Sequence, residues 1–125
     1  MTVVIGYFGG PEGEAALHHG AREALDRGLS VVVVDADAKP GGDSTALRSP
    51  ALDAVEHTVH QSRLPDPAAN VLQAAQEHSA SLVVIGIRRR SPVGKFLLGS
   101  HAQRVLLEAD APVLAVKPPG ATPAH

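Results

Sequence analysis

The chain has no cysteine and no tryptophan, and only one tyrosine, one methionine and two phenylalanines among 125 residues. Without cysteine there is no disulfide framework, no thiol nucleophile and no thiolate metal site. A sequence so poor in aromatics builds its core from Val, Leu, Ile and Ala, side chains that fill the space between a sheet and its helices. No apolar run approaches the ~20 residues that cross a bilayer. The opening "MTVVIGYFGG" lacks the basic start and long apolar stretch of a secretory signal, so the expected setting is the cytoplasm. Strong charge of one sign is also missing. Eleven Lys and Arg against 13 Asp and Glu leave a formal net charge of -2, which gives no general affinity for nucleic acid.

What is present reads as one domain over residues 1–118 followed by a disordered tail, 119–125. Four short apolar runs suit strands: Thr2 to Ile5, Leu29 to Ala36, Ser81 to Gly86 and Ala111 to Lys117. They are Val-rich and unbroken rather than alternating, the pattern of strands covered on both faces in a parallel sheet. "EHTVHQSR", Glu56 to Arg63, alternates and suits an edge strand. Helical periodicity fills Pro11 to Arg27, Pro67 to Ser79 and Ser100 to Ala109. Gly28 stops the first of these, and Asp66 offers an N-cap to the second. Between the second and third strands, residues 39–55 are rich in Gly, Pro and Ser and predict a mobile loop with a stub of helix at "PALDAV". Strands alternating with helices make right-handed βαβ crossovers. The expected fold is α/β, a doubly wound five-stranded parallel sheet of order 3-2-1-4-5, Rossmann-like.

In such sheets ligands bind beyond the carboxyl ends of the strands, where the winding reverses, here between the first and fourth strands. The loops meeting there are "GYFGGPEG" and "GIRRRSPVGKFLLGS". The second gathers four cations between Gly86 and Lys95 and runs into a helix at Gly99-Ser100. Free N–H groups of a first helical turn, with the helix dipole, make an anion site. A plainer reading makes Gly99-Ser100 a helix start and the arginines a solvated loop.

"GIRRRSPVGKFLLGSHAQRVLLEADAPVLAVK" resembles the C-terminal signature of the universal stress protein family, and the likeness runs from Thr2 to Lys117. That family's ATP-binding members carry glycine, two residues, glycine, nine residues, then glycine and Ser or Thr. Gly86 matches the first glycine, and Arg90 to Leu98 keep the spacing to Gly99-Ser100, but Arg89 stands where the second glycine would be. Those members end the first strand in an aspartate, as V-G-x-D-G-S. Here the stretch is "IGYFGG", with Phe8 at the aspartate and Gly10 at the serine. Phe8 offers no oxygen to Mg²⁺; it either stacks on a base or fills the site. The family's long second helix is also nearly missing. Carried over by position, the resemblance implies that Gly6, Tyr7 and Phe8 border the crevice and that Ala36 faces the adenine. It sets Ile85 and Gly86 near base and ribose, and Gly99, Ser100 and His101 at the phosphates. Arg89 is either a phosphate clamp or bulk that plugs the phosphate space.

The resulting expectation is a cytoplasmic regulatory module with an adenine nucleotide (ATP or AMP) or anion site weakened by Phe8 and Arg89. The alternative is a nucleotide-independent dimeric scaffold. No Ser-His-Asp or paired-carboxylate set converges at the strand ends, so catalysis is not expected. His57 and His60 are poorly spaced for chelation, so no metal is expected, and His18-His19 suits a solvated helix face. The last strand, Pro112 to Val116, is an apolar edge, and in the resembled family it is the homodimer contact. An isologous pair would cover it.

Overall fold

The computed structural model describes residues 2–35, 49–60, 64–89, 96–97 and 99–118, with the backbone alone for Arg88, Arg89, Phe96 and Leu97. The tail 119–125, Ala36 and the larger part of the loop expected over 39–55 lie outside the described residues.

Strand β1 (Thr2–Tyr7) leads into helix α1 (Gly10–Arg27), which is followed by β2 (Ser30–Asp35), a 3-10 turn (Pro50–Leu52) and β3 (His57–His60). Then come α2 (Pro67–Glu77), β4 (Ala80–Gly86), the two-residue strands β5 (Arg88–Arg89) and β6 (Phe96–Leu97), α3 (Ser100–Glu108) and β7 (Val113–Val116). The main sheet has the order β3-β2-β1-β4-β7, all parallel, with β7 as its fifth strand. This is the expected 3-2-1-4-5. The expected helix stub is the 3-10 turn, and the small antiparallel β5–β6 ribbon is an element that the periodicity gives no sign of.

The unbroken Val runs are explained by the two cores. Alternate residues of each strand leave opposite faces, and both faces are covered. Val3, Ile5, Tyr7, Val31, Val33, Leu82, Val84 and Val116 pack with α1 and with Leu52 and Val55. Val4, Val32, Val34, Val83 and Ile85 pack instead with Ala68, Val71 and Ala74 of α2 and Ala102 and Val105 of α3. The winding therefore reverses between β1 and β4.

Local chemistry sets the helix ends. The turn from β1 into α1 puts Gly9 at φ 87° and Gly10 at φ 69°, left-handed conformations that a side chain would strain. Asp66 caps α2 as expected, accepting from the Ala68 N–H at 3.1 Å. It also pairs with Arg104 of α3, which bonds Glu108 as well. Asn70, buried in the first turns of α2, clamps the Leu64 backbone, accepting from its N–H at 3.0 Å and donating to its carbonyl at 2.9 Å.

Candidate functional site

Where the winding reverses, a cavity of about 210 Å³ lies at the carboxyl ends of β1 and β4. It is lined by Phe8, Glu12, Gly86, Gly99, Ser100, His101 and Ala102. The two glycine-bearing turns singled out in the sequence thus share one rim. Of the residues carried over to the ligand, Phe8, Gly86, Gly99, Ser100 and His101 come together here.

Among the described side chains, Tyr7 and Ile85 do not line it. Tyr7 is buried on the α1 face, where its ring leaves no room for a Cβ on Gly13. Ile85 is fully buried on the opposite face. Gly6 has Val71, Ile85 and Phe8 around the space a Cβ would take. Arg89 stands in β5, opposite Phe96, its side chain outside what is described; Ala36 is outside altogether. Glu12 and Ala102 are lining residues that sequence reasoning missed. Both enter through the first turns of helices, and helical first turns flanking the glycine loops are the signal that was available.

The two glycines at the rim do different work. A Cβ on Gly86 would run into the Glu12 carbonyl oxygen and lie 2.6 Å from its carbonyl carbon, so this glycine is what lets α1 start against the end of β4. A Cβ on Gly99 would meet nothing within 4 Å. Gly99 is the N-cap of α3 (φ -62°, ψ 162°) and, as a glycine, supplies no side-chain cap to that turn. The first turn, Ser100 to Ala102, lines the cavity and Ser100 is exposed, so backbone amides and a hydroxyl are available there at the positive end of the helix dipole.

Glu12 brings a carboxylate to the same rim. It turns back over the start of its own helix, where a Cβ on Gly10 would lie 3.0 Å from its Oε2. That position complements α1's N-terminus and separates the roles of the two helix starts. The remaining wall is aromatic. The rings of Phe8 and His101 stack with centroids 5.8 Å apart and planes 28° from parallel, and His101 Nδ1 lies 3.7 Å from Asp66 Oδ1.

The donor set at the start of α3 suits a phosphate-sized anion, against the repulsion of the Glu12 carboxylate on the same rim of the cavity. Its enclosed volume is below the ~300 Å³ at which pockets for whole drug-sized ligands begin, so a nucleotide would extend past the described lining. A larger hollow, about 770 Å³, lies on the α1 face between Glu14, His18, His19, Ser49, Ala51 and Lys117. Its described lining includes no α-helix N-terminus.

Residues 1–117 match the Universal stress protein family. The chain belongs to that family. A universal stress protein of Mycolicibacterium smegmatis is 43% identical over 128 aligned positions, covering 94% of this chain and 98% of that one. Among solved structures, a universal stress protein from Archaeoglobus fulgidus is 31% identical with a TM-score of 0.68, covering 91% of this chain and 96% of that one. A structure described as the universal stress protein from Archaeoglobus fulgidus in complex with dAMP is 28% identical with a TM-score of 0.65, covering 91% of this chain and 94% of that one. The expected family and its Rossmann-like α/β fold both hold for this chain. Among the described residues no helix is long and apolar enough to cross a membrane.

Proposed function

We propose that this universal stress protein is a cytoplasmic regulatory module, not a catalyst, that seats the phosphate of an adenine nucleotide at the β1/β4 crevice. One observation carries the reading: the first turn of α3, whose glycine N-cap supplies no side-chain cap, lines a cavity at the carboxyl ends of the two strands. Gly99, Ser100 and His101 hold the anion through backbone amides and the Ser100 hydroxyl. The dAMP complex of a relative of the same fold supports an adenine nucleotide as the ligand. AMP suits this chain better than Mg²⁺-ATP, because Phe8 occupies the rim without offering a metal ligand. The module works as a homodimer through β7, whose Val113, Leu114 and Ala115 are half-buried at the sheet edge.

A second reading has its own support. The Phe8–His101 stack and the small cavity suit a closed site, and hence a nucleotide-independent dimer that recruits a partner. Two measurements separate the readings: mass spectrometry of small molecules released from the freshly purified, denatured protein, and calorimetry with AMP and ATP, each with and without Mg²⁺. The first reading predicts AMP binding that is indifferent to Mg²⁺. An empty protein that gives no heat and no thermal shift at millimolar nucleotide overturns it in favour of the second.

A further inference from the structure

We propose that His60, Glu77 and His78 form a transition-metal site, with Zn²⁺ the ion it suits best, which ties the edge strand β3 to the end of α2. The three residues belong to neither the crevice nor its helices. His60 closes β3, Glu77 is the last residue of α2 and His78 is its C-cap. Each offers one ligand atom, and the three atoms all lie within 4.8 Å of one another. His60 Nδ1 is 3.9 Å from Glu77 Oε2, and the His60 and His78 rings meet edge to face with centroids 6.0 Å apart.

Three physical arguments point to a cation. First, two imidazoles and a carboxylate are a zinc ligand set, three protein ligands leaving a fourth position for water. Second, the His60 side chain is only 9% exposed, so the ring is held in place before an ion arrives, with Nδ1 the nitrogen that faces Glu77. Third, the cluster lies at the C-terminal end of α2, where unpaired carbonyls favour positive charge.

The geometry needs only a small closure. Bonds of about 2.0–2.1 Å in a tetrahedral site put ligand atoms about 3.3 Å apart. Glu77 is half exposed and His78 exposed, so rotation at the helix end supplies the movement while His60 stays fixed in its strand. His57, the other histidine of β3, takes no part, since its Nδ1 is engaged with the Val55 carbonyl at 2.9 Å.

The test uses the full, untagged chain stripped with EDTA. Co²⁺ serves as a spectroscopic probe, and calorimetry follows Zn²⁺. The expected result is one Co²⁺ per chain with visible ligand-field bands, displaced by Zn²⁺, and a higher melting temperature with Zn²⁺ than with EDTA. Glu77→Gln and His78→Ala should each weaken Zn²⁺ at least about tenfold, since even residues that only orient a ligand are worth that much. Both side chains are exposed, so the variants should melt with the parent in EDTA, and that comparison separates a lost ligand from a lost fold. His18→Ala with His19→Ala, which removes the histidine pair on α1, should leave binding unchanged. The proposal is overturned by no saturable binding at millimolar Co²⁺, by undiminished affinity in His78→Ala, or by loss of binding in the His18/His19 variant.

Discussion

Adding one methyl group at Gly86 tests how the crevice is built. In Gly86→Ala the new Cβ would collide with the Glu12 carbonyl and lie 2.8 Å from Glu12 Cβ, whereas real Cβ atoms essentially never come under 3.0 Å. The obstacle is the backbone of α1's first turn, which cannot rotate aside, so either the helix start or the end of β4 must move. Overpacking a dense site costs about 1–3 kcal/mol, and a backbone obstacle belongs at the upper end. Restricting the unfolded chain returns about 0.4–1 kcal/mol, which leaves a net loss of about 2 kcal/mol. At about 4 °C per kcal/mol, where the ranges for smaller and larger domains meet, the melting temperature should fall by about 8 °C. Gly99→Ala is the matched control, because its Cβ meets nothing within 4 Å; losing the N-cap preference for glycine costs it about 0.5 kcal/mol. Calorimetric or circular-dichroism melts of the two variants give the comparison. If Gly86→Ala melts no lower than Gly99→Ala, the close approach of α1 to β4 is not what that glycine is for, and the reasoning fails.

Other perturbations have definite outcomes. Asn70→Ala removes two hydrogen bonds to the Leu64 backbone from a buried position and should cost about 2 kcal/mol by urea denaturation. Asp66→Ala removes the α2 cap, worth about 1 kcal/mol, and the Arg104 pair. That pair is over a third exposed on both sides, so it adds well under about 1 kcal/mol and fades at high salt; denaturation at low and high ionic strength separates the two parts. Phe8→Asp with Arg89→Gly reverses two of the departures from the family pattern. By calorimetry the double variant should bind Mg²⁺-ATP more tightly than the parent, and unchanged affinity would mean that other residues set the limit.

The fold could be read from the sequence because both faces of the sheet are buried. Runs such as Val31 to Val34 show no alternation when each face has its own core, and the glycines, prolines and Asp66 mark the element ends. The β5–β6 ribbon could not be read, since two-residue strands are too short to carry a period. The crevice was legible through its glycine turns, but nearness in sequence overstated its lining. Tyr7 and Ile85 adjoin lining residues in the chain, yet the period of two that governs strands buries both side chains, one in each core. Glu12 reaches the rim only because α1 begins against Gly86, a tertiary fact. The His60, Glu77 and His78 cluster escaped for a related reason. Spacing along one strand gives no sign of a set that is assembled across a strand and a helix end.

The claim on which the functional account rests is that the free amides at the start of α3 seat an anion between the ends of β1 and β4. An NMR titration of the ¹⁵N-labelled protein with AMP reads those amides one by one. The account predicts saturable shifts concentrated at Gly99, Ser100 and His101, with smaller ones at Phe8 and Gly86 and none at Ser49 or Lys117 in the larger hollow. Shifts that gather at the larger hollow, or an unchanged spectrum at millimolar AMP, would contradict it.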